Sequence, residues 1–232
     1  MSSAAQIVAP VEPATPVVYP DGDGLPMSDN TEQHDWIVRI KGGIGAACPD
    51  AFVAGDVLWY YVEGDPKQRI GPDVLVAFGR PPGRRGSYMQ WEECGVTPQV
   101  VVEVWSPKNT FAEQVFKLRL YERLGVQEFI TYDPDRNAFC AFERGSSGAL
   151  EVAAALDPWV SPLTRCRFVP GDAGLRVYGP DGQIFRTIEE SKIYEAELLA
   201  MANEQAARAG EQAARADRLA ERLRALGVDP EE

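Results

Sequence analysis

Val100-Val101-Val102-Glu103-Val104-Trp105-Ser106-Pro107 is the stretch that decides the fold. Five of its first six positions are apolar, and four are valine, as a strand covered on both faces requires. Glu103 interrupts the run. An unpaired carboxylate there would carry a large desolvation penalty, so the sequence predicts a positive group facing it.

Downstream, a helix is expected over about Phe111 to Leu124, with Gly125 as its C′ residue and a strand at Phe129-Ile130-Thr131-Tyr132. At 100° per residue, Phe116, Leu118, Leu120, Tyr121 and Leu124 span the apolar arc of that helix, and Arg119, Glu122 and Arg123 gather opposite. Lys117 falls near the centre of the apolar arc. Upstream, Pro72-Asp73 leads straight into Val74-Leu75-Val76-Ala77-Phe78, which sets a second acid at the mouth of a buried strand.

Further upstream, β-branched and aromatic runs at Phe52-Val53 and Val57 to Val62 read as strands. Trp36, Ile37 and Ile40 recur at helical spacing behind a capping box from Asp29 to Glu32. Residues 1–28 read as a Pro-rich extended arm and residues 29–187 as the folded domain. Turns after Asp133 predict an antiparallel extension of the sheet. The fold class is therefore α/β (α+β): a mixed sheet with flanking helices.

Residues 188–226 are rich in Ala, Glu and Arg, and Glu204 to Ala209 repeats seven residues later as Glu211 to Ala216. A heptad repeat implies a coiled-coil seam and a homodimer, but its seam is mostly alanine, which buries little area. A single solvated helix is the competing reading. Residues 227–232 form a tail.

Composition limits the chemistry. The net charge of −12 is uneven: residues 1–35 carry 6 acids and no bases, residues 188–232 carry 11 acids and 6 bases, and the centre is nearly neutral. A nucleic-acid partner for the central domain is thus compatible with the acidic total. Cys48, Cys94, Cys140 and Cys166 form no C-x-x-C pair, which fits a reducing cytoplasm better than a zinc knuckle or a disulfide framework. No apolar stretch approaches the length of a membrane span. His34 is the only histidine, so acid-base work falls to carboxylates, Lys or Tyr.

Two acids and one lysine on core-facing elements can hold a hydrated Mg²⁺ or Mn²⁺ and set an attacking water at a phosphodiester. The same residues also admit a structural reading, with Glu103 and Lys117 as an ion pair and Asp73 capping a turn.

The run Gly71-Pro72-Asp73-Val74, then Val102-Glu103-Val104-Trp105-Ser106-Pro107, then Lys117, Tyr121, Gly125-Val126 and Tyr132-Asp133-Pro134 resembles the bacterial Uma-type restriction endonucleases of the PD-(D/E)XK nuclease superfamily. The resemblance covers roughly residues 27–143. It implies a restriction-endonuclease-like αβββαβ core, Asp73, Glu103 and Lys117 as catalytic residues, and Asp73, Glu103 and the backbone carbonyl of Val104 as metal ligands. Where the superfamily motif carries its lysine, two residues after Glu103, this chain has Trp105, and Lys117 on the next helix stands in for it.

The expected activity is Mg²⁺-dependent hydrolysis of DNA phosphodiester bonds. Its rivals are a phosphoesterase acting on a small substrate and an inactive nuclease-fold scaffold associating through the C-terminal helix. Three further features are candidates. Glu32 or Gln33 would add a first-helix group to the site, although Glu32 suits a cap. Glu113 suits a capping box with Thr110 better than the site. The loop from Gly79 to Gln99, with Arg80, Arg84, Arg85, Tyr88 and Trp91, suits either phosphate contact or plain solvation.

Overall fold

A computed structural model describes residues 17–22, 24, 28 and 30–225. The chain divides into two units, Met1–Phe185 and Arg186–Glu232. In chain order the first holds α1 (Thr31–Ala47), β1 (Phe52–Gly55), β2 (Trp59–Tyr60), β3 (Arg69–Ile70), β4 (Val74–Ala77), β5 (Tyr88–Met89), β6 (Val100–Val104), α2 (Phe111–Leu124) and β7 (Glu128–Asp133). It continues with β8 (Ala138–Arg144), β9 (Leu150–Val152), β10 (Trp159–Val160), β11 (Arg167–Val169) and β12 (Arg176–Tyr178). The second unit holds α3 (Ile188–Ala225).

The opening stretch became β6, and all five of its residues are buried. It lies inside a six-stranded mixed sheet of order β1-β4-β6-β7-β8-β9, in which β6 and β7 run parallel and the other pairs antiparallel. A parallel pair needs a crossover connection, and α2 supplies it. The order of α1, β1, β4, β6, α2 and β7 reproduces the αβββαβ core.

Alternation along β6 separates two cores. Val100, Val102 and Val104 pack with Trp36, Ile37, Ile40 and Ile44 of α1, whereas Val101 packs with Trp105, Leu120 and Tyr121 on the α2 side. Fully burying an Ile or Val side chain contributes about 1.5–3 kcal/mol, so the valine-rich strand anchors both layers.

Helix boundaries follow from their caps. The Asn30 side chain accepts the Gln33 N–H at 2.8 Å and starts α1, so the cap is one residue later than the expected Asp29, which lies outside the described residues. Thr110 and Glu113 form the capping box of α2, and Gly125 ends that helix with φ of 92°, a left-handed value that glycine adopts at little cost.

Several expectations are corrected. Of Val57 to Val62 only Trp59 and Tyr60 are strand, and they join β3 and β5 in a separate three-stranded sheet. Only β8 and β9 extend the main sheet, and β10 to β12 form a third sheet whose Trp159, Phe168 and Val177 pack into the α1-side core. Phe116 is exposed, because the buried line on α2 runs through Leu120 and Tyr121. Tyr19, in the arm, packs its ring against Tyr60 and Trp91.

No residue of α3 is buried. Thr187 and Glu190 cap its start, and Glu204 pairs with Arg208 one turn on. Among the described residues no helix is long and apolar enough to cross a membrane.

Candidate active site

Glu103 is 1% exposed and lies on the α2 side of β6. The antiparallel register Val74↔Val102, continued by one residue, sets Asp73 directly opposite it. Opposed residues of an antiparallel pair share a face, so both carboxylates project toward α2. On its other flank Glu103 is in register with Thr131 of β7.

Both oxygens of Glu103 have partners. Lys117 Nζ donates to Oε2 at 2.7 Å, and the Tyr121 hydroxyl donates to Oε1 at 2.5 Å. Lys117 and Tyr121 stand four residues apart on α2, the spacing that puts two side chains on one helix face. The buried carboxylate therefore has the cationic partner its position requires, plus a neutral donor.

Lys117 is 22% exposed, and its ammonium also stands 5.5 Å from the centroid of the Trp105 ring. Burial pulls its pKa down, but Glu103 and then Asp73 hold it above the ordinary lysine value, so it is charged at neutral pH. Tyr121 is fully buried, and burial followed by the Glu103 charge pushes its hydroxyl far above the usual phenol range. It keeps its proton and donates a hydrogen bond to Glu103.

Asp73 stands one residue before β4, where its Oδ2 accepts the Val104 N–H at 2.6 Å and so extends the pairing of β4 with β6. Burial, then the Glu103 charge, raise its carboxyl well above the ordinary aspartate value, while Lys117 and the Val104 N–H pull the other way. The opposed acids compete for one lysine.

The Val104 carbonyl accepts the Gln33 side-chain N–H at 2.7 Å, from α1 across the sheet. Gln33 is 7% exposed, whereas Glu32 faces solvent. Of the two first-helix candidates, Gln33 is the one that reaches the site.

Other candidates lie elsewhere. Glu113 is engaged with Thr110 in the capping box. Arg80 and Arg85 both bind the buried Glu93, at 2.8 and 2.5 Å, and Arg85 covers the Phe52 ring at 4.0 Å. Tyr88 is buried in β5 with its hydroxyl on the Val96 carbonyl. That loop uses two of its three arginines internally, and the sequence reading missed Glu93 as the acid that holds them. Tyr121 was also missed as a site residue. Its four-residue spacing from Lys117 was the available signal.

Two carboxylates and a backbone carbonyl are hard oxygen donors, and the carboxylates oppose each other with like charge. That set fits a Mg²⁺-type cation, which takes one or two carboxylates and completes its shell with water and substrate oxygens. Among the described residues no third His, Cys, Asp or Glu joins them. The Val104 carbonyl retains one lone pair beyond the Gln33 hydrogen bond.

Residues 8–154 match the Uma2 family, whose description is "Putative restriction endonuclease". The chain belongs to the Uma2 family. The match spans the arm, α1 and the main sheet, and contains Asp73, Glu103 and Lys117. Among solved structures, a crystal structure from Anabaena variabilis titled as "a putative nuclease belonging to DUF820" is 14% identical. It aligns with 59% of the Uma2 chain and 75% of its own, with a TM-score of 0.45. No curated protein matches.

Proposed function

We propose that the protein is a metal-dependent endonuclease that hydrolyses DNA phosphodiester bonds, with Asp73 and Glu103 as metal ligands and Lys117 as the catalytic cation. The observation that carries this reading is the pair of opposed carboxylates with Lys117 at 2.7 Å from one of them. A bound Mg²⁺ or Mn²⁺ would supply a water of lowered pKa and neutralise charge on the scissile phosphate.

The chain's own residues do the rest. Tyr121 fixes the Glu103 carboxylate through Oε1, and the Val104 N–H fixes Asp73 through Oδ2, so both acids keep free lone pairs in set directions. Gln33 steadies the Val104 carbonyl, the third oxygen of the ligand set. Lys117 is charged, and positioned to stabilise negative charge that develops on a phosphate oxygen beside Glu103. The test is plasmid nicking by purified protein with Mg²⁺ or Mn²⁺. Wild type should nick and Glu103→Ala should not, and equal, background-level products from both would sink the reading.

A second reading has its own observation. Lys117 already neutralises Glu103, as it would in a structural pair, and α3 offers 38 residues with none buried. A nuclease-fold scaffold that dimerises through α3 would show both features. Light scattering on the full chain and on a chain ending at Phe185 separates the possibilities, since the same number of subunits per particle in both removes the dimer role.

A further inference from the structure

Beyond Trp105, the sheet face that carries Glu103 continues into a cleft of about 230 Å³ between α2 and strands β7 and β8. Trp105, Phe111, Leu118, Phe129 and Phe142 supply most of its wall, and among the described residues no charged one lines it. Phe129 and Phe142 are stacked, with centroids 5.6 Å apart and planes 20° apart. Phe111, the first residue of α2, is 80% exposed at the rim.

The cleft adjoins the candidate catalytic groups through two residues. Trp105 lines it and lies under the Lys117 ammonium, and Thr131 lines it and is in register with Glu103. A ligand part seated there would lie beside a phosphate held at Asp73 and Glu103, as neighbouring parts of one molecule do. It must be small, planar and uncharged. A peptide helix or a second phosphate does not meet those conditions.

We propose that the cleft takes one nucleobase of the substrate strand, stacked against Phe111 and the aromatic wall, and that Phe111 is a specificity-determining residue. This rests on the phosphodiesterase reading of the site. The Gln114 amide, also on the lining, carries both donors and an acceptor with which a base edge can pair. A base in this cleft has left the helical stack. Unpaired strands release it freely, whereas a duplex must first break pairing and stacking. The preferred substrate is therefore single-stranded DNA or an unpaired stretch within a duplex.

The experiment compares one oligonucleotide sequence as a single strand and as a blunt duplex. Binding is read by fluorescence anisotropy in EDTA, and cleavage with Mg²⁺ or Mn²⁺. Wild type should favour the single strand in both. Phe111→Ala should weaken single-strand binding about tenfold and leave the duplex unchanged, and Phe111→Trp, which keeps a stacking face, should retain the preference. Equal affinity of wild type for both forms, or a Phe111→Ala loss common to both, overturns the proposal. Cleavage without strand preference leaves the nuclease reading standing and removes the cleft's role. The binding preference without any cleavage does the reverse.

Discussion

The ammonium of Lys117 stands 5.5 Å from the centroid of the Trp105 ring. Trp105 stands where the resemblance to PD-(D/E)XK nucleases leads one to expect a lysine, and Lys117 reaches Glu103 from α2 with its ammonium over that ring.

The double variant Trp105→Lys with Lys117→Met should therefore recover part of the nicking activity that Lys117→Met loses. Lys117→Met leaves Glu103 buried without its cation, and should also cost about 3 kcal/mol in denaturant unfolding. A double variant no more active than Lys117→Met would show that the two positions do not present one charge to one site.

Asp73 supplies a test of metal binding that needs no substrate. Its carboxyl is held well above the usual range by burial and then by Glu103, so the metal-free site carries an unfavourable pair of acids that a divalent cation relieves. Mg²⁺ at one hundred times its dissociation constant should stabilise wild type by about 2.7 kcal/mol, seen as a raised thermal midpoint. Asp73→Asn should not respond. A midpoint in wild type that is indifferent to Mg²⁺ and Mn²⁺ would argue for the structural ion pair.

Tyr121→Phe removes one hydroxyl and no volume from the core. It strips the buried Glu103 Oε1 of its 2.5 Å donor, which should cost about 2 kcal/mol of stability. If Tyr121 orients a metal ligand, activity should also fall about tenfold or more. Loss of stability with full activity would confine Tyr121 to packing.

Much of this was legible from residue pattern alone, because burial on both faces leaves a strand no choice but apolar side chains. Val100–Val104 announced itself, and so did the one carboxylate in it and the need for a nearby cation. The α2 boundaries were legible because Thr110, Glu113 and Gly125 are local signals. What could not be read depended on distant partners. Nothing near Val104 in sequence decides between Glu32 and Gln33 as the first-helix group that reaches it, and nothing near Arg80 or Arg85 shows that Glu93 takes both guanidinium groups. Two-residue strands such as Tyr88–Met89 exist only through pairing with Trp59–Tyr60, so no local periodicity marks them. Phe116 misled for the converse reason, since an apolar side chain on a helix that buries only Leu120 and Tyr121 can face solvent.

Glu128 offers a pH test away from the site. It is 2% exposed, and its oxygens accept the Ser161 hydroxyl at 2.5 Å and the Leu163 N–H at 2.7 Å, which tie β7 to the turn between β10 and β11. Burial raises its carboxyl above the ordinary value of 4.5, although both hydrogen bonds pull it back. The folded state therefore holds this proton more tightly than the unfolded state does. Its stabilising contribution is fully present below the unfolded value and is lost as pH rises through the folded one. Glu128→Gln keeps an acceptor but has no proton to lose. The difference in unfolding free energy, wild type minus variant, should fall as pH rises above about 4.5 and level off once Glu128 is ionised in the folded protein. Urea titrations of both proteins at several pH values between 4 and 8 measure it, and a difference that does not change with pH would mean that burial does not shift this carboxyl.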